Sequence, residues 1–171
     1  MQDTLTKRKV HIELYRDKNS IVNDAFDRLV AGIYLKKRNE GYSCLAISGC
    51  EPGVGTTTIA ISLAVSMAVS GWKTVLIDAD MKKDMEKKRL NQQTEVGLSE
   101  YLEGSSDFNS IVYETNYDTM HYISCGHMTD NPVRLLCSSA FEGFMDKIKE
   151  TYDFAIFDSP SITATDRKSV V

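Results

Sequence analysis

The residues Gly49-Cys50-Glu51-Pro52-Gly53-Val54-Gly55-Thr56-Thr57-Thr58 have the types and spacing to hold phosphate. Glycines let backbone N–H groups come close to anionic oxygens, and a helix N-terminus adds its dipole. A short apolar run, Cys44 to Ile47, precedes the loop, and a small-residue helical run, Thr57 to Ser70, follows it. Strand, glycine loop and helix are the setting a phosphate-binding loop requires. Against the pattern GxxxxGK(S/T), Cys50 takes the first glycine, Gly55 the second, Thr56 the lysine and Thr57 the Mg²⁺-binding hydroxyl. The stretch Gly53, Val54, Gly55, Thr56, Thr57 and Thr58 is therefore expected to carry the phosphates of ATP or ADP with Mg²⁺, although its lysine is missing. A ligand-free strand-to-helix turn would share the same spacing.

Carboxylates support the phosphate reading. Asp78 and Asp80 end one apolar run, Leu76-Ile77-Asp78-Ala79-Asp80, and Asp158 ends another, Ala155-Ile156-Phe157-Asp158. At the C-terminal ends of parallel strands, such groups face the same crevice as the loop. There they can hold a hydrated Mg²⁺ or orient an attacking group. The expected metal set is Thr57, Asp80 and Asp158, and the expected catalytic set is Asp78, Asp80 and Asp158. A lone Asp in any of these places could be a strand-end cap.

The elements that must position these groups alternate along the chain. Helical spacing of Val22, Phe26, Leu29, Val30 and Ile33 predicts a helix from Ile21 to Leu35, capped by Asn19 or Ser20. Strands are expected at 43–48, 74–77, 120–124 and 154–157. Short helices are expected at Leu98 to Leu102 and Phe108 to Tyr113, and a helical turn at Asn131-Pro132. Ser139 and Glu142 suggest a capping box for a helix burying Phe141, Phe144, Met145 and Ile148. Residues 1–18 show no clear period and read as an arm, leaving 19–171 as one P-loop domain. Strands alternating with helices predict an α/β fold, a three-layer sandwich with a mostly parallel sheet.

Composition sets bounds on the function. The chain has 171 residues, 42% hydrophobic and 26% charged, as in ordinary globular domains. A net charge of −4 argues against a general nucleic-acid partner. The longest nearly apolar run, Ile59 to Val69, is too short to insert into a bilayer, and the polar start has no secretory h-region. Cys44, Cys50, Cys125 and Cys137 have no metal-binding spacing and read as reduced cytoplasmic thiols.

Several blocks follow one another in order: Asp24-Ala25-Phe26-Asp27-Arg28-Leu29, the P-loop, Asp78-Ala79-Asp80, and Gly97-Leu98-Ser99-Glu100-Tyr101-Leu102. Asn131-Pro132-Val133-Arg134-Leu135-Leu136 and Tyr152-Asp153-Phe154-Ala155-Ile156-Phe157-Asp158-Ser159-Pro160 follow. In these blocks the sequence resembles the bacterial tyrosine autokinases of capsule and exopolysaccharide synthesis, within the wider class of partition and septum-site P-loop ATPases. The resemblance implies ATP·Mg²⁺ bound at the loop and Thr57, with Asp78, Asp80 and Asp158 completing the site. It also implies a membrane-anchored modulator as partner, a homo-oligomer, and a cytoplasmic protein recruited to the inner face of the membrane.

The sequence departs from the family's pattern in several places. Thr56 stands where the lysine belongs, and Glu51 stands where the wider class can place a second lysine. Lys82 or Lys83 could substitute, although solvated surface is the ordinary role of such residues. Asp27 occupies the arginine place of the family's oligomerisation motif. The chain stops at Val171, so the fold is expected to be truncated after the Walker B-like strand, with the P-loop strand as an open edge. The eight tyrosines are scattered and form no tail cluster. The resulting expectation is a nucleotide-binding relative with weak or lost kinase activity. The alternatives are a non-enzymatic pseudokinase or interaction module, and a pilus-assembly-type localisation ATPase relative.

Overall fold

The computed structural model describes residues 9–13, 20–82 and 90–162. Its centre is a six-stranded sheet in the order β1-β4-β5-β3-β6-β2. The strands are β1 (Lys9–Val10), β2 (Cys44–Ile47), β3 (Thr74–Asp78), β4 (Tyr113–Thr115), β5 (Met120–Ile123) and β6 (Phe154–Asp158). All neighbours are parallel except β4 and β5. Every residue of β3 and β6 is buried, which is why both read as apolar runs and not as alternating ones. As expected, the strand feeding the P-loop, β2, lies at an edge of the described sheet.

Helices cover both faces. On one side lie α1 (Ser20–Glu40) and α2 (Thr56–Val69). Helix α2 is apolar nearly all round because it is sandwiched between the sheet and α1. Phe26, Val30 and Ile33 of α1 join its core. On the other side lie α3 (Leu98–Leu102), α4 (Phe108–Ile111), α5 (Pro132–Leu136) and α6 (Ser139–Thr151). Tyr101, Phe108, Phe141 and Phe144 form an aromatic cluster there.

Three local expectations are corrected. The helix expected to run to Tyr113 ends at Ile111, and Tyr113 begins β4. Its phenol reaches across to donate to the Val96 carbonyl at 3.0 Å and accepts from the Glu95 and Val96 N–H groups. The α6 cap is Ser138, not Ser139. Ser138 is extended and its Oγ accepts from the Phe141 N–H, whereas Ser139 is already helical. The segment read as an arm adds β1, with Val10 and Ile12 fully buried. Of the caps expected for α1, Asn19 lies outside the described residues and Ser20 is the first residue of the helix.

Candidate functional site

The loop between β2 and α2 takes its shape from glycines. Gly53 and Gly55 have φ of 82° and 90°, a left-handed backbone that side chains resist. Gly55 is the N-cap of α2, and no side chain caps that helix among the described residues. Its first turn therefore faces the cavity as a site for an anion. Gly49 is required for a different reason. A Cβ there would lie 2.6 Å from both Thr56 Oγ1 and Val54 Cγ2. The loop folds closely over its own base, and sequence reading treated Gly49 only as the residue before the pattern.

The segment after β6 is laced to that base. The Ser159 N–H donates to the Ile47 carbonyl and the Ile162 N–H to the Gly49 carbonyl, each at 2.9 Å. Ser48 Oγ donates to the Pro160 carbonyl at 2.7 Å. These bonds hold Ser159 and Ser161 on the rim of a cavity of about 280 Å³, which Gly53, Gly55, Thr56, Thr57, Asp80 and Asp158 also line. The two serines were not expected there, since only their position just past a strand end hints at it.

The expected carboxylates converge. Asp78 and Asp158 end adjacent strands in register with one another. Asp78, Asp80 and Asp158 are all buried. Thr57 Oγ1 donates to Asp158 Oδ2 at 2.7 Å, which brings the hydroxyl and the strand-end carboxylate together. Asp78 Oδ1 accepts from the Asp80 N–H at 3.0 Å and so turns the chain beneath the loop. Asp78 lies beside a neighbouring cavity of about 300 Å³, shared with Thr57 and Asp158. Val54 and Thr58 are exposed and line neither cavity.

The electrostatics of this corner are one-sided. Glu51, Asp80 and Asp158 line the loop cavity, and no lysine or arginine does so among the described residues. Lys82 is exposed and lines neither cavity, and Lys83 lies outside the described residues. Burial above all, with Asp78, Cys125 and Asp158 adding to it, pushes the Tyr122 phenol well above its usual range. Tyr122 therefore stays protonated beside the carboxylates. Glycine-loop N–H groups together with hydroxyl and carboxylate oxygens suit a phosphate chain carrying a hard divalent cation. Thr57, Asp80 and Asp158 are the residues that could hold such an ion.

Known proteins are similar to this chain in sequence and in fold. A family model described as an AAA domain matches residues 43–167. The tyrosine-protein kinase CpsD of Streptococcus agalactiae is 35% identical over 119 residues, covering 69% of this chain and 52% of the kinase. The tyrosine-protein kinase ptk of Acinetobacter johnsonii is 29% identical over 162 residues, covering 94% of this chain but only 22% of the relative. The chain thus spans about half the length of the first of these relatives and about a fifth of the second. Among solved structures, the BceF tyrosine kinase domain superposes with a TM-score of 0.75 at 29% identity, covering 88% of this chain and 60% of that one. The chain belongs to the AAA-domain family of P-loop proteins, and the relatives it is similar to are bacterial tyrosine-protein kinases.

Proposed function

We propose that this domain binds ATP or ADP as the Mg²⁺ complex and belongs to a tyrosine-kinase system that regulates polysaccharide synthesis or export. The observation that carries this reading is the Thr57 Oγ1 to Asp158 Oδ2 pair at 2.7 Å, set beneath the glycine loop on a cavity shared with Asp80. The loop backbone from Gly53 to Thr58 would take the phosphates. Thr57, Asp80 and Asp158 would hold Mg²⁺, which supplies positive charge to the phosphates when bound. Asp78 and Asp158 would orient an attacking group or water. A membrane-anchored modulator and further copies of the chain are the proposed partners, as the sequence resemblance implies.

Phosphoryl transfer is proposed to be weak. The reaction depends on cations positioned around the developing charge, and losing one costs orders of magnitude in rate. Thr56 and Glu51 supply none, and Glu51 adds a negative charge to the cavity. That same carboxylate favours a second reading, a pseudokinase that works as an interaction module without turnover. It also argues against a localisation ATPase of the pilus-assembly kind, which normally keeps a lysine where Glu51 stands.

Calorimetry with ATP and ADP, with and without Mg²⁺, tests the proposal. Binding is expected with Mg²⁺, weakening by at least about tenfold when the metal is removed, because three carboxylates then face an uncompensated polyphosphate. No heat at millimolar nucleotide with Mg²⁺ would overturn it and leave the interaction module.

A further inference from the structure

The cavity of about 300 Å³ borders Thr57, Asp78 and Asp158 on one side, while His11, Ile12 and Glu13 also line it. Among the described residues, the β1–β4 ladder pairs Lys9 with Glu114 and Val10 with Thr115. Beyond it, two side-chain amides take over. Gln93 Oε1 accepts from the His11 N–H at 2.7 Å, and Gln93 Nε2 donates to the His11 carbonyl at 3.2 Å. Asn116 Oδ1 accepts from the Ile12 N–H at 2.7 Å, and Asn116 Nδ2 donates to the Ile12 carbonyl at 3.2 Å. Each amide satisfies both backbone groups of one residue, as a strand neighbour would.

The side chains of the segment alternate to match. Val10 and Ile12 are 0% and 2% exposed, whereas Lys9, His11 and Glu13 face outward. Main-chain bonds with pockets for alternate residues are how a sheet edge recognises an extended peptide. The clamp also reaches the nucleotide corner. Gln93 ends a 3₁₀ turn, Asn91–Gln93, directly after Leu90, which lines the same cavity. The chain that leaves β3 at Asp78 and Asp80 therefore returns to the clamp.

We propose that β4, Gln93 and Asn116 form a recognition groove for an extended segment, filled here by residues 9–13 of the same chain, and that its occupancy controls the Thr57–Asp158 corner. The proposal deepens the nucleotide-binding reading and rests on it. Docked, the segment closes the cavity and limits water around Asp78 and Asp158. Released, it opens that space and weakens the hold on the metal complex. By linkage, Mg²⁺–nucleotide binding and segment docking then strengthen one another by the same factor.

The double variant Gln93→Ala/Asn116→Ala in the full chain tests this, because neither residue lines either cavity. The readouts are amide hydrogen exchange and Mg²⁺–ADP affinity. Exchange at His11 and Ile12 is expected to speed up at least about tenfold as local opening becomes easier. The Ile61, Asp78 and Asp158 amides are expected to speed up as well, without nucleotide. Affinity for Mg²⁺–ADP is expected to fall by about fivefold or more. If His11 and Ile12 exchange faster while the corner amides and the affinity stay as they were, the segment is merely structural and the proposal falls. If the wild-type chain binds no Mg²⁺–ADP, the nucleotide reading falls separately, and the nucleotide-free exchange still decides the coupling. Ile12→Ala loosens the same segment by a different route and takes the place of the double variant if that variant does not fold.

Discussion

Two corners of this domain treat carboxylates in opposite ways. In the corner where β5 leaves the sheet, the donors to Glu100 come from its own chain. Its Oε2 accepts from the Gly97 N–H at 2.7 Å and from Ser99 Oγ at 3.2 Å. Its Oε1 accepts from the His127 N–H at 3.0 Å and pairs with His127 Nδ1 at 2.9 Å. His127 Nε2 goes on to Glu103 at 3.2 Å. In the P-loop corner, Glu51, Asp80 and Asp158 share a cavity that no lysine or arginine lines among the described residues. A carboxylate whose donors come from the loops around it ties them down. Carboxylates that line an open cavity are placed to meet a cation there. The first corner is architecture, and the second is the one proposed to take a ligand.

The largest effect that would sharpen this contrast lies in the architectural corner. A Cβ on Gly97 would overlap the Ser124 carbonyl, Ser124 Oγ and the Gly126 N–H, so backbone must move to accommodate it. Gly97→Ala is expected to cost about 3 kcal/mol, the upper end for overpacking. Urea unfolding measures that loss. Mg²⁺–ADP affinity below the transition should stay within about twofold, because the corners share no partners. A large loss of affinity would mean that the two corners are not independent.

The next effect tests the ligand corner directly. Thr56→Lys places a cation among three carboxylates and beside the expected phosphates. Nucleotide affinity is expected to rise about tenfold, or about 1.4 kcal/mol. The requirement for Mg²⁺ should relax at the same time. Calorimetry of the variant decides it, and an unchanged affinity would mean that the missing lysine is not what limits this site.

The ligand corner was far more legible in the sequence than the architectural one. Asp78, Asp80 and Asp158 each follow an apolar run, so strand ends and their carboxylates are marked locally. The glycines of the loop are marked by their spacing. The Glu100 corner draws its partner from residue 127, and the loop that brings His127 back is not predictable from either end. β1 and β4 were missed for a related reason. Each is two or three residues long, too short for an alternating period to stand out, and each is held by contacts made elsewhere in the fold. Ser138 outcompetes Ser139 as a cap by a single residue of backbone geometry, finer than spacing alone can specify.

The smallest effect probes whether the architectural corner is ionic. The Glu100 hydrogen bond, foremost, raises His127 above its ordinary 6.5, against a smaller opposing effect of burial. Burial is the largest single influence on Glu100 and pushes it up, but its hydrogen bonds, His127 first, together hold it below 4.5. A raised histidine stabilises the fold fully below 6.5, and that contribution is lost as pH rises through the folded value. A lowered carboxylate stabilises above 4.5, and that contribution is lost as pH falls through the folded value. Both contributions are complete between those two ordinary values. His127 is 48% exposed, so solvent screening keeps the ionic share under about 1 kcal/mol. His127→Gln, compared with the wild-type chain by urea unfolding at acidic and alkaline pH, should therefore lose stability within that window. The difference should shrink on the alkaline side, where wild-type His127 is neutral too. A difference that is the same at both ends would make the bond to Glu100 a neutral one, and the corner's compensation would then rest on backbone and hydroxyl donors rather than on charge.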